Sequence, residues 1–277
     1  MELSAHAILA AFGLTLFAGL STGIGSAIAF LSRRTNKRFL SLALGFSAGV
    51  MIYISFVEIF PGAREDLERA LDRGTATLVA TAAFFAGMAL IAIIDKLIPA
   101  RENPHEVKSL ESMNEGDAGN AREVKDARLT RLGLFSALAI AIHNFPEGLA
   151  TFVSGLSDPS VAYPIAIAIA LHNIPEGIAV SVPVYFATGS RRKAFIYSFL
   201  SGLAEPLGAL VGFFLIISFT GVNPVVTGVL FSLVAGIMVF ISLDELLPAA
   251  REYGAHHLSI HGLVAGMALV AITLLFL

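Results

Sequence analysis

Long apolar runs separated by short polar turns set the pattern of this chain. A helix needs about 20 apolar residues to cross a hydrocarbon core of about 30 Å. Eight runs reach that length: 5–31, 39–60, 75–98, 131–155, 160–187, 194–219, 224–248 and 258–277. They predict an all-α polytopic membrane protein, with residues 1–277 forming a single transmembrane domain. The turn at 156–159 (Leu-Ser-Asp-Pro) is short enough to make the fourth and fifth helices an antiparallel pair. One connection is long: 99–130, rich in Glu, Asn, Gly, Asp and Lys, reads as a mobile cytoplasmic loop.

Polar residues inside the apolar runs are few and patterned. His143-Asn-Phe-Pro-Glu-Gly148 in the fourth run recurs as His172-Asn-Ile-Pro-Glu-Gly177 in the fifth. On a helix His143 and Glu147 are i and i+4, as are His172 and Glu176, so each segment presents a nitrogen and a carboxylate on one face. Pro146 and Pro175 have no N–H to offer the carbonyls of Ile142 and Leu171, which predicts a kink beside each polar face. In the sixth run Glu205 precedes Pro206, which frees the carbonyl of Gly202 in the same way. An ionisable residue at bilayer depth costs about 2.5–3.5 kcal/mol on insertion scales and usually marks an ion path. A lone His there is more often a satisfied core residue. Two copies of His-x-x-x-Glu at equivalent depth argue against that reading.

Composition narrows the chemistry. The chain is 56% hydrophobic and 14% charged, with mean hydropathy +0.80, where soluble domains carry about 25% charged residues. There is no Cys, so thiolate sites and iron–sulfur clusters are excluded and any metal has N and O ligands. The net charge of −3 comes with basic residues scattered among inter-helix turns, which sets nucleic acid aside as a partner. Arg33, Arg34, Lys37, Arg38, the basic residues around the long loop, Arg191, Arg192, Lys193 and Arg251 all fall on one side. Arg64, Arg69 and Arg73 fall on the other. The positive-inside rule makes the richer side cytoplasmic and places both termini outside a cell membrane.

The chain also repeats itself. Segment 48–65 aligns with 235–252, matching Gly49, Met51, Ser55, Glu58, Pro61 and Arg64 to Gly236, Met238, Ser242, Glu245, Pro248 and Arg251. Ala86–Ile93 aligns with Ala265–Ile272. Opposite orientations of the matched helices predict a 3+2+3 inverted repeat, the arrangement by which many secondary transporters hold a site near the midplane. Glu58 would then lie near the outer face and Glu245 near the inner. With Asp244 and Met51 they are candidate accessory positions on the path.

A pocket of His, Glu and Asn suits a borderline first-row divalent ion, held more weakly than in a thiolate site. At these residues the chain resembles the ZIP (Zrt-, Irt-like protein) family of divalent-metal transporters, closest to its bacterial ZupT-type branch. The likeness runs through all eight segments and the Ser201–Gly208 motif. It implies a first metal site of His143, Glu147, His172 and Glu176. A second would be formed by Asn144, Asn173 and Glu205, with Glu147 and Glu176 bridging. It further implies import of Zn²⁺, and of Fe²⁺, Mn²⁺, Co²⁺ or Cd²⁺, into the cytoplasm as substrates, a homodimer, and no catalytic cofactor. Many members carry a His-rich loop after the third helix, whereas 99–130 holds only His105. His256, His257 and His261 lie at the cytoplasmic end of the last helix, where interfacial histidines are common.

The main alternative is an intramembrane metal-dependent hydrolase. His-Glu-x-x-His is absent, and the Asn that follows each His cannot act as a general base. No Walker-type phosphate loop occurs, so ATP hydrolysis within the chain is not expected. An interaction scaffold would leave the midplane acids without a purpose. Protons compete with metal for His and Glu, so uptake is expected to fall as the outside is acidified below the His titration range.

Overall fold

The computed structural model describes residues 4–31, 37–97, 141–142, 144–156, 159–218, 223–253 and 256–275. The loop 99–130 and His143 lie outside the described residues. Among those described the chain is helical, without strands. Helices α1 (Ala5–Leu31), α2 (Lys37–Ile54), α3 (Phe60–Glu68) and α4 (Arg73–Leu97) precede the long loop. After it come α5 (144–156), α6 (Pro159–Thr188), α7 (Arg191–Gly202) and α8 (Ala204–Ser218). The last are α9 (Pro224–Ile241), α10 (Leu247–Tyr253) and α11 (His256–Leu275). Pairs α2–α3, α7–α8 and α9–α10 each form one span, which makes eight membrane helices. Seven of these are long and apolar enough in their described residues to cross a bilayer.

The second and seventh spans run further than the apolar pattern predicts, to Glu68 and Tyr253 instead of residues 60 and 248. Both continue through a π-helical turn, Ser55–Ile59 in one and Ser242–Leu246 in the other. The cause is the proline that follows. In a regular α-helix the rings of Pro61 and Pro248 would strike the carbonyls of Val57 and Asp244. Widening to i→i+5 bonds, seen as Phe60 N–H on Ser55 O and Leu247 N–H on Ser242 O, makes room. Proline acts differently elsewhere. Helix α6 runs unbroken through Pro164, Pro175 and Pro183. The sixth span is interrupted at Leu203, one turn before Pro206.

Polar caps fix several helix starts. Asp72 Oδ1 accepts from the N–H groups of Gly74 (3.0 Å) and Thr75 (3.1 Å) at the head of α4, and the Thr75 side chain first, then these backbone bonds, hold its carboxyl below the usual range. Asn223 accepts from Val225 N–H at 2.9 Å with Pro224 in the first turn of α9. The turn into α7 passes through Gly189 at φ 64° and is capped by Ser190.

Helix α6 is central and α4 and α11 are peripheral: 67% of the most apolar window of α6 is buried, against 22% for each of the others. Packing divides the spans into two groups. Helix α1 packs on α6, α7 and α8, while α2 packs on α11 and α10, and α9 on α4 and α3. Glycines permit these contacts, because lipid tails supply no hydrophobic drive and close backbone approach replaces it. A Cβ on Gly25 would strike Ile174 O, and one on Gly177 would strike Thr22 O, locking α1 to α6. Gly148 and Gly208 lock α5 to α8 against Glu205 and Phe145. In the other group Gly45, Gly49, Gly262 and Gly266 join α2 to α11, and Gly87 and Gly236 join α4 to α9. The groups meet chiefly where α2 lies along α6. Among the described residues, every glycine that sits against another helix does so within one group, and none lies on that seam.

Candidate metal centre

The repeated motif delivers its side chains to the middle of the first group. Glu147 on α5 and His172 and Glu176 on α6 each offer a ligand atom, all within 4.8 Å of one another. Glu147 and His172 are fully buried and Glu176 is 2% exposed. His172 Nε2 stands 3.1 and 3.2 Å from the two Glu147 oxygens and 3.8 Å from Glu176 Oε1. The i,i+4 spacing on α6 puts His172 and Glu176 on one face, and Glu147 of α5 meets that face. Two ligands of one tetrahedral Zn²⁺, each about 2.1 Å from the ion, are about 3.4 Å apart. The three groups therefore need only small side-chain adjustments to close on a cation.

The remaining motif residues form a second set. Asn173 Nδ2 donates to Ala18 O at 2.8 Å and to Glu205 Oε1, joining α6 to α1 and α8. Asn144 Nδ2 donates to Ser201 O at 3.4 Å. With their amide N–H groups so used, Asn144 Oδ1 and Asn173 Oδ1 are buried without a hydrogen-bond partner among the described residues. A buried amide oxygen left unmatched costs about 1–3 kcal/mol. A cation beside either oxygen would compensate it, as a cation or proton must offset the buried Glu147, Glu176 and Glu205 carboxylates.

The accessory candidates sit apart from these sets. Met51 is fully buried in α2 within the main apolar core. Glu58 stands partly exposed on the first π turn, and Asp244 (exposed) and Glu245 (partly exposed) stand on the second. The structure thus places the acids on matching irregular turns. His257 and His261 are exposed near the start of α11. One residue of the centre is absent from the sequence reading. Ser47 on α2 is fully buried and donates to Glu176 Oε1 at 3.2 Å. A single Ser in an apolar helix carries no signal of that contact, since membrane serines commonly bond their own helix, as Ser242 does with Met238 O at 2.7 Å.

Comparison with known proteins places the chain beside several relatives. The family model described as ZIP Zinc transporter matches residues 4–95 and 98–274. A protein of Streptococcus mutans named zinc transporter ZupT is 62% identical over 268 residues, covering 97% of each chain. One of Clostridium perfringens with the same name is 57% identical over 276 residues, 97% of this chain and 96% of its own. Another, of Nitratidesulfovibrio vulgaris, is 60% identical over 270 residues, 97% of each.

Proposed function

Because this chain belongs to the ZIP zinc-transporter family, we propose that it is a secondary transporter that imports Zn²⁺ across the cell membrane into the cytoplasm. It is a multi-pass membrane protein, and a transporter rather than an enzyme. The observation that carries the import reading is the buried Glu147–His172–Glu176 cluster at the centre of the bundle. Carboxylates so placed are stable only with a cation or proton to offset them. An all-N/O donor set binds a divalent ion without the permanence of thiolate ligation. Such a set admits Fe²⁺, Mn²⁺, Co²⁺ and Cd²⁺ beside Zn²⁺.

His143 completes the first site with Glu147, His172 and Glu176. Asn144, Asn173 and Glu205 hold a second ion through the two unmatched amide oxygens, with Glu147 and Glu176 bridging. The eight helices form a 3+2+3 inverted repeat within one domain of residues 1–277. Three matched features support it: α1 on α6 mirrors α8 on α5, α2 on α11 mirrors α9 on α4, and the two π turns fall at equivalent positions. Both termini face outward, Glu58 serves the outer side of the path and Glu245 the inner, with Asp244 and Met51 as accessory positions. Two copies assemble as a homodimer, as the family likeness implies.

Zn²⁺ uptake into proteoliposomes tests this reading by comparing wild type with Glu147→Ala and His172→Ala. Saturable uptake in the wild type, lost in both folded variants, is the expected result. A wild type that moves no divalent metal under any gradient would refute it, and metal-dependent hydrolysis would become the assay to run.

A further inference from the structure

The metal cluster belongs to one helix group, yet one of its side chains is held from the other. Ser47 lies on α2, whose position is set by close backbone contact with α11 at Gly45 and Gly49, on either side of it. Glu176 lies on α6, immediately before Gly177, where α6 is locked to α1. The Ser47 hydroxyl donates to Glu176 Oε1 at 3.2 Å, and that same oxygen stands 3.8 Å from His172 Nε2. The bond therefore crosses the glycine-free seam between two separately locked bodies and ends on an oxygen that faces the cluster.

We propose that Ser47 is a positioning residue for the metal centre, holding Glu176 in its ligating orientation only while the two helix groups stand in the register seen here. A hydroxyl donates to a single lone pair, so it can steer a carboxylate without taking the place of a metal ion. A hydroxyl bond tolerates little stretch before its energy is lost. A displacement of a few ångström along α2 would break it while leaving Glu147, His172 and Asn173 together, because those contacts lie within one group. The bond thus couples metal affinity to the position of the seam. This inference rests on the transport reading above.

Zinc-uptake kinetics in proteoliposomes test it with Ser47→Ala, and with Ser41→Ala as a matched change. Ser41 is also fully buried on α2, but its hydroxyl donates to Ala250 O at 2.6 Å within the same group. A hydrogen bond to a charged group is lost in Ser47→Ala, so KM is expected to rise about tenfold with Vmax undiminished. Ser41→Ala should leave KM at the wild-type value. Unchanged KM in Ser47→Ala, a fall in Vmax alone, or an equal rise of KM in Ser41→Ala would each overturn the proposal. If Ser47→Ala fails to fold, the near-isosteric Ser47→Cys, a far weaker donor, carries the test: a raised KM supports the role and a wild-type KM overturns it. Absence of uptake by the wild type would refute the transport reading itself. A transporting wild type with unaffected Ser47 variants refutes only the role of Ser47.

Discussion

Gly177→Ala adds one methyl group at the residue after Glu176, and the structure fixes what that methyl meets. It would strike Thr22 O and come within 3.1 Å of Ser26 N, both backbone atoms of α1. Carbon atoms rest about 3.5–4.0 Å from their neighbours, so α1 and α6 must separate by roughly 1 Å at this point. Two terms oppose. Replacing Gly by Ala in a helix interior gains about 1 kcal/mol of propensity. Overpacking a well-packed contact costs about 1–3 kcal/mol, and the upper end applies here because a helix backbone cannot rotate aside as a side chain can. The net is about 2 kcal/mol of destabilisation, or roughly 4–8 °C in Tm at the slope of a large domain. Gly13→Ala is the matched contrast: it lies on an exposed face of α1 with nothing within 4 Å, so only the propensity gain of about 1 kcal/mol remains. Thermal unfolding of both variants in detergent measures the difference, and zinc uptake reads its effect on the site. Gly25→Ala presses on the same α1–α6 contact at Ile174, so the double variant should lose less than the sum, one separation relieving both clashes. Equal Tm for Gly177→Ala and Gly13→Ala would refute the claim that backbone contact locks these helices.

Three further outcomes are expected. Asn173→Ala removes the donor shared by Ala18 O and Glu205, costing about 2–3 kcal/mol for two lost bonds, one to a carboxylate; it should lower Tm and weaken zinc binding measured by calorimetry, and unchanged values for both would count against a structural and ligating Asn173. Asp72→Ala should lower Tm by uncapping α4. Because the folded pKa of Asp72 is depressed, its stabilisation is fully present above the unfolded carboxylate range and is lost as pH falls through the lower folded value; a Tm difference from wild type that stayed constant across that fall would contradict the cap. Uptake should decline as external pH drops below the His range, since protons and metal share ligands; a steady rise instead would point to proton coupling.

Much of the centre could be read from residue spacing. His172 and Glu176 share a helix face because i and i+4 must, and a doubled motif at matching depth brings Glu147 to them. Helix count was equally legible, since apolar length is a direct consequence of bilayer thickness. What spacing conceals is contact between distant helices. Ser47 and Glu176 are 129 residues apart, and nothing local distinguishes Ser47 from Ser41 on the same helix or Ser55 in the π turn that follows it. The ends of the second and seventh spans were missed for another reason. Phe60–Glu68 and Leu247–Tyr253 carry charges that end an apolar run, yet helix continues because the π turns absorb Pro61 and Pro248.

The distribution of glycine limits where this bundle can move. A helix pair locked by carbonyl against Cα has only its own register available, because sliding by a fraction of a turn drives the next residue's Cβ into the facing backbone. Such locks bind α1 to α6, α5 to α8, α2 to α11 and α4 to α9. Among the described residues the α2–α6 seam has none, and side chains that meet there can exchange neighbours as packed helices shear. Among the described residues, shear between the two groups therefore has this seam as its interface. Glu147, His172, Asn173 and Glu205 all lie on one side of that interface and would travel together, while the hydroxyl of Ser47 lies on the other. A site carried whole need not lose its ion in transit. A hydrogen bond made and broken at the seam would give an ion's affinity a dependence on position, as a carrier that must bind on one side and release on the other requires.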